Sequence, residues 1–114
     1  MGTVLIIEDD LTTRSALTEL LERDGRAILT AADGKEALER LTDVPRPSLI
    51  LVDLSMPRMN GWQFLRHQAV DPAIAGIPTI VLSASTSDLP PGARQLLTKP
   101  VDVGRLMALV DQYC

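Results

Sequence analysis

The sequence predicts a three-layer α/β fold, in which a parallel β-sheet is covered by helices on both faces. Short aliphatic runs alternate with segments of helical spacing along the whole chain, which indicates successive β-α-β units. The runs at residues 4–7, 49–52 and 79–82 are continuously apolar, as is typical of strands that are buried on both faces. Right-handed crossovers between parallel strands then place helices on both sides of the sheet.

The individual elements follow from the same patterns. Five short strands are expected at residues 3–7, 27–30, 49–52, 77–82 and 96–98, each bounded by charged residues, Gly or Pro. Four helices are expected where apolar residues recur at helical spacing, around Leu17 and Leu21, around Ala37 and Leu41, after Asn60, and around Leu106 and Val110. Three helices have a suitable residue for their N-terminus, namely Asp33 with Glu36 as a capping box, Asn60 and Asp102.

The segment from Ser83 to Lys99 interrupts this alternation. It has no apolar stripe, and Pro90-Pro91-Gly92 would stop a helix. We therefore expect a loop there, with at most one helical turn, before the fifth strand.

Length and composition restrict the classes of protein that the chain can represent. Its 114 residues form one domain, residues 1–114, and the balance of 46% apolar to 23% charged residues is typical of a globular protein. The net charge of −4 argues against direct binding to nucleic acid or to anionic membranes. Cys114 is the single cysteine, so no disulfide within the chain is expected. The four aliphatic residues before Glu8 are too few for a signal peptide or a membrane span, so we expect a cytoplasmic protein.

Chemically active residues follow the predicted strands. They are Glu8, Asp9 and Asp10 after the first strand, Asp53 after the third, Ser83 after the fourth and Lys99 after the fifth. Carboxyl ends of parallel strands meet at one edge, where ligands bind. If the first and third strands are neighbours, several carboxylates converge in water-accessible space, and their repulsion calls for a cation. All-oxygen ligands suit Mg²⁺ or Mn²⁺. Asp10 can equally well serve as the cap of the following helix.

These side chains would suit a site for an acyl phosphate. Asp53 would act as the nucleophile, Mg²⁺ and Lys99 would neutralise phosphoryl charge, and the hydroxyl of Ser83 would bind a phosphoryl oxygen.

Four motifs together resemble the response regulator receiver domain, the phosphoacceptor module of two-component signalling. They are Ile6-Ile7-Glu8-Asp9-Asp10, the stretch from Leu51 to Gly61 around Asp53, Val81-Leu82-Ser83-Ala84, and Thr98-Lys99-Pro100. The resemblance covers nearly the whole chain. It implies a doubly wound, flavodoxin-like fold with strand order 2-1-3-4-5, and a phosphohistidine donor on a histidine kinase or a histidine phosphotransfer protein. The output partner is not indicated.

The resemblance also implies a role for each matching residue. Asp53 corresponds to the phosphorylated aspartate, and Glu8 and Asp9 to the acidic pair that binds Mg²⁺ together with Asp53 and the backbone carbonyl of Ser55. The remaining matches are Ser83 at the Ser/Thr position, Ala84 as the small residue that leaves access to the phosphoryl group, Lys99 as the family lysine, and a cis peptide bond before Pro100.

Two departures from the family pattern concern the output. Leu96 stands where the family usually has an aromatic residue, and the segment between Ser83 and Lys99 is shorter than usual. We therefore expect the fourth helix of the family to be missing or rudimentary. Phosphorylation should survive, whereas the usual coupling of a hydroxyl to an aromatic ring should not.

The same residues are compatible with two other functional classes. A metal-dependent phosphohydrolase could use the same carboxylates, but Ser55 occupies the place where a second aspartate would follow Asp53. The alternative that remains is a receiver-like docking module that binds proteins without being phosphorylated. Neither the phosphoacceptor nor the docking module is expected to be an enzyme in the ordinary sense, although a receiver assists its own phosphorylation and dephosphorylation.

Overall fold

The computed structural model describes residues 2–43, 45–56, 58–84 and 89–114. In this part of the chain, five parallel strands form one sheet in the order β2-β1-β3-β4-β5, which confirms the predicted fold class. The strands are β1 (Thr3–Ile7), β2 (Ala27–Ala31), β3 (Leu49–Asp53), β4 (Thr79–Ser83) and β5 (Gln95–Thr98). The helices are α1 (Leu11–Arg23), α2 (Gly34–Asp43), α3 (Gly61–Val70) and α4 (Val103–Tyr113). None of these helices is long and apolar enough to cross a membrane.

The sheet separates two apolar layers. Alternate residues of a strand point to opposite faces, so β1 contributes Leu5 and Ile7 to one layer and Val4 and Ile6 to the other. The first layer includes buried side chains of α2 and α3, and the second includes those of α1 and α4. Both faces of β1, β3 and β4 are covered, which explains the continuous aliphatic runs within these strands.

The strand register brings the predicted site residues to one edge of the sheet. Ile7 of β1 pairs with Val52 of β3. Glu8 directly follows Ile7 and Asp53 directly follows Val52, so the two acids lie next to each other. On the other side of β3, Ser83 pairs with Thr98, which places Lys99 one residue beyond that pair. The adjacency of β1 and β3, on which the convergence of carboxylates depends, is thereby confirmed.

Side-chain caps fix the starts of the helices. Asn60 and Gln63 form a complete capping box on α3, and Asp102 accepts a hydrogen bond from the Arg105 N–H at the start of α4. The capping box predicted for Asp33 and Glu36 is only half formed. Asp33 accepts from the Glu36 N–H, but the Glu36 carboxylate accepts from the N–H of Ala32, one residue too early.

A proline-rich turn precedes β5. The Ala93 N–H donates to the Pro90 carbonyl, the Arg94 N–H donates to the Thr79 carbonyl, and Pro90 is buried. The described residues between β4 and β5, namely 84 and 89–94, contain no helix, in agreement with the expected loop. The remainder of the expected loop, residues 85–88, lies outside the described part.

The start of β4 differs from the prediction. Aliphatic composition predicted a strand from Ile77, whereas β4 begins at Thr79. The Gln68 side chain explains the difference, because its Nε2 atom donates to the carbonyls of Ile74 and Ile77, at 3.0 Å each. Its Oε1 atom accepts from the Thr79 hydroxyl at 3.1 Å. A buried glutamine thus takes the Ile77 carbonyl just before β4. Pro78 has no N–H to offer, although its carbonyl accepts from the Ile50 N–H of β3.

Replacing Gln68 by leucine should lower the free energy of unfolding by about 1–3 kcal/mol. The carbonyls of Ile74 and Ile77 and the hydroxyl of Thr79 would each lose one buried hydrogen bond, although each keeps a second one. Chemical denaturation measures this change. Gln112→Leu, an exposed substitution on α4, is the matched control and should stay within about 0.5 kcal/mol of the wild type. Equal stability of the two variants would contradict the role given to Gln68.

Candidate functional site

Three carboxylates converge at the carboxyl edge of the sheet. Glu8 follows β1 directly and is fully buried, and Asp53 ends β3 with only 4% of its surface exposed. Asp9 is exposed to solvent. One carboxylate oxygen from each of the three lies within 4.8 Å of the others. The sequence placed this cluster in water-accessible space, but two of its members are buried because β1 and β3 are interior strands.

Lys99 connects two of these carboxylates. Its Nζ atom lies 2.9 Å from Oε1 of Glu8 and 3.1 Å from Oδ2 of Asp53. The backbone of Lys99 is held by its own N–H, which donates to the Ser83 carbonyl at 2.7 Å. The Lys99–Pro100 peptide bond is cis, as the resemblance implied. Lys99 therefore reaches back from β5, across β4, to the ends of β3 and β1.

Burial and like charge shape the titration of this cluster. Burial and the neighbouring Asp53 carboxylate raise the pKa of Glu8 to about 7, although Lys99 acts in the opposite direction. Burial alone would lower the pKa of Lys99, but its hydrogen bonds to Glu8 and Asp53 raise it instead. The Lys99 ammonium thus binds two of the three acidic groups, and the site retains an excess of negative charge.

Ser55 and Ser83 lie beside the acidic cluster. The Ser55 N–H donates to Oδ1 of Asp53 at 3.2 Å, while Ser83 ends β4 and is buried. Both serines line a cavity of about 500 Å³ whose other lining residues include Trp62 and Ala84. The site residues predicted from the sequence are thus brought to the same edge of the sheet.

The turn after β1 is held by residues of α1. Asp10 is the N-cap of α1 and accepts from the N–H and the hydroxyl of Thr13, which is the capping role considered for it. From the sequence, Arg14 was expected only to face a donor helix, yet its Nη1 atom donates to the Glu8 carbonyl at 2.8 Å. The sequence signal for this contact is a basic residue one turn into the helix that follows the acidic end of β1.

A glycine allows α3 to start against the end of β3. A Cβ atom at Gly61 would lie 2.7 Å from the Asp53 carbonyl oxygen and 2.8 Å from Cα of Leu54, closer than any side chain tolerates. The Gly61 N–H donates to the Leu54 carbonyl in this contact. The close approach fixes the loop that carries Ser55 between two rigid elements.

Comparison with known proteins agrees with this architecture. The sequence profile of the response regulator receiver domain matches residues 4–111, which is nearly the entire chain. The chain belongs to the response regulator receiver family. It is thus a signalling domain of the two-component type, as the sequence motifs indicated.

Individual relatives support the assignment of this receiver domain. Protein PilH of Pseudomonas aeruginosa is 32% identical over 117 residues, covering 97% of this chain and 96% of PilH. The chemotaxis response regulator CheY4 of Vibrio cholerae is 28% identical, with a TM-score of 0.89 over 100% of this chain and 99% of that one. The receiver domain of a signal transduction histidine kinase from Syntrophus aciditrophicus is 30% identical, with a TM-score of 0.87 over 99% and 89% of the two chains.

The raised pKa of Glu8 gives the receiver a predictable pH dependence in the absence of divalent cations. The folded state binds the Glu8 proton more tightly than the unfolded state does. This contribution to stability is therefore complete below the ordinary glutamate pKa of 4.5 and is lost as the pH rises through about 7. Glu8→Gln should raise the free energy of unfolding at pH 8 by about 1–3 kcal/mol, and much less at pH 4.5.

Urea denaturation in EDTA at the two pH values measures this difference. Glu39→Gln, at an exposed position on α2, is the control and should show no comparable gain. A Glu8→Gln variant that is less stable than the wild type at pH 8 would refute the electrostatic description of the site.

Proposed function

We propose that this receiver domain accepts a phosphoryl group on Asp53 from a phosphohistidine of a histidine kinase or a histidine phosphotransfer protein. The observation that carries the proposal is the Lys99 ammonium, which lies between the buried carboxylates of Glu8 and Asp53. A lysine that only stabilised the fold would need to pair with one buried acid. A phosphoryl group on Asp53 is anionic, and it needs a fixed positive charge beside it, which Lys99 supplies.

The acidic cluster has the composition of a magnesium site. Glu8, Asp9 and Asp53 supply closely spaced carboxylate oxygens, and we assign the Ser55 backbone carbonyl as a further ligand. Mn²⁺ would substitute for Mg²⁺, since both prefer oxygen ligands. The bound cation would offset the negative charge of the three carboxylates and of the incoming phosphoryl oxygens.

The transfer itself requires little covalent chemistry from the protein. A carboxylate oxygen of Asp53 bonds to phosphorus, the bond from phosphorus to the donor nitrogen breaks, and its electron pair returns to the imidazole ring. Lys99 stabilises charge on the phosphoryl oxygens, and the Ser83 hydroxyl donates to one of them. Ala84 leaves room for the group to enter.

A groove beside the site suits a donor helix. It has a volume of about 540 Å³ and lies between α1 and the start of α4. Most of the side chains that line it are apolar, and Lys99 and Pro100 also line it. Leu11 and Val103, at the first residues of these two helices, are 65% and 52% exposed. An amphipathic helix that carries the phosphohistidine would cover this apolar surface and present its imidazole to Asp53.

The output of the phosphorylated state should differ from the usual family mechanism. Leu96 is half-buried and packs against the core layer formed with α2 and α3, and it has neither a ring nor a hydroxyl to couple with Ser83. The turn at Pro90 and Ala93 lies over the same part of the sheet. We propose that phosphorylation alters partner docking at this surface rather than through an aromatic switch.

Incubation with acetyl phosphate and Mg²⁺ should add one phosphoryl group to the chain, observed by intact-mass spectrometry. Asp53→Asn, which removes the nucleophile, and EDTA, which removes the cation, should each abolish the adduct. An unmodified wild type that is folded and binds Mg²⁺ would favour the alternative, a docking module that acts without phosphorylation. An adduct that survives in Asp53→Asn would refute Asp53 as the acceptor.

Lys99→Ala should slow phosphorylation by acetyl phosphate about tenfold or more, because the developing phosphoryl charge loses its fixed counter-charge. Mg²⁺ affinity should be unchanged or higher, since a positive charge beside the cation has been removed. Stopped-flow fluorescence of Trp62, the single tryptophan of the chain, measures both quantities. Lys35→Ala, an exposed lysine on α2, should leave the rate within twofold of the wild type, and an equal loss in both variants would contradict a specific role for Lys99.

A further inference from the structure

An ion pair joins the loop after β3 to the loop after β2. Arg58 lies beyond Asp53 and Ser55 on the β3–α3 loop, and its Nε and Nη2 atoms lie 2.6 Å and 2.5 Å from Oδ2 of Asp33. Asp33 is 3% exposed, whereas the Arg58 side chain is 59% exposed. A buried carboxylate thus anchors a cation that belongs to the loop carrying Ser55, one of the proposed metal ligands.

Further contacts make this connection a rigid joint. The second oxygen of Asp33 accepts from the Glu36 N–H at 2.8 Å, so the same carboxylate also begins α2. The Gly34 N–H donates to the Met59 carbonyl at 3.1 Å, and a Cβ atom at Gly34 would lie 2.9 Å from Cγ of Met59. Arg58 itself has a φ of 59°, in the left-handed region, which this local network holds in place.

We propose that Arg58 is a positioning residue for the metal site, acting through Asp33 to hold the loop that carries Ser55 in its binding geometry. The proposal rests on the proposed Mg²⁺ site and extends it to two residues that do not touch the ion. The β3–α3 loop starts at the end of β3 and leads into α3 at Gly61, and the joint with Asp33 and Gly34 is a further anchor between these ends. Without that anchor, the loop gains freedom that Mg²⁺ binding must remove again.

Loss of the Arg58 charge and loss of its positioning contact should change the affinity for Mg²⁺ in opposite directions. Removing a positive charge near an acidic cluster should strengthen cation binding by simple electrostatics. Loss of a positioning contact should weaken it. The sign of the change in affinity therefore separates the two roles, and a contribution of Arg58 to folding alone would not alter the affinity of fully folded protein.

The experiment is isothermal titration of Mg²⁺ into folded wild type, Arg58→Gln, Arg58→Lys and Arg66→Gln at one ionic strength. Arg66 is an exposed arginine of α3 and controls for the loss of charge. We expect Arg58→Gln to raise the Kd three- to tenfold, Arg58→Lys to raise it less, and Arg66→Gln to leave it unchanged or slightly lower. An unchanged or lower Kd in Arg58→Gln would overturn the proposal.

A second pair of variants tests the route through Asp33. In the background of Asp33→Asn, the substitution Arg58→Gln should change the Kd by less than twofold, because the joint is already broken. This double variant also avoids an unpaired buried carboxylate, so the test survives if Arg58→Gln alone folds poorly. A three- to tenfold increase in Kd caused by Arg58→Gln in the Asp33→Asn background would overturn the proposal. A wild type that binds no Mg²⁺ would instead refute the proposed metal site itself.

Discussion

The Lys99 ammonium is held between Glu8 and Asp53, at 2.9 Å and 3.1 Å, and much of the site depends on this one cation. Two carboxylates on neighbouring strands could not both be buried and charged without it. Lys99 does not balance the cluster, because Asp9 adds a third acid within 4.8 Å and the pKa of Glu8 remains raised. The remaining negative charge is what makes the cluster suited to a divalent cation.

The topology of the sheet is what allows this arrangement. β1 and β3 are neighbours at the centre of five parallel strands, so their carboxyl ends deliver Glu8 and Asp53 side by side. Apolar layers on both faces fix the strands, and close contacts at Gly61 and Gly34 fix the loops that leave them. The rigidity of the core is thereby passed to the site, where small displacements of an oxygen ligand would matter most.

Sequence patterns predicted the fold class, the strand order through family resemblance, and the edge at which the site residues meet. These features follow from continuous apolar runs and from residues next in sequence to them. The patterns did not predict the late start of β4, because Gln68 competes for backbone carbonyls, nor the burial of Glu8, which depends on tertiary packing. The pairing of Asp33 with Arg58 joins residues 25 apart on different loops, a contact that no local periodicity encodes.

The central claim is that one oxygen-lined cation site exists at the carboxyl edge of the sheet, and paramagnetic broadening by Mn²⁺ tests it most directly. Amide signals of ¹⁵N-labelled protein would be followed at substoichiometric Mn²⁺, with competition by Mg²⁺. We predict that the amides of Glu8, Asp9, Asp53 and Ser55 broaden first and recover when Mg²⁺ is added. Broadening centred on other acidic groups, such as Asp24 and Asp111 at the opposite end of the sheet, or no localised broadening at all, would contradict this claim.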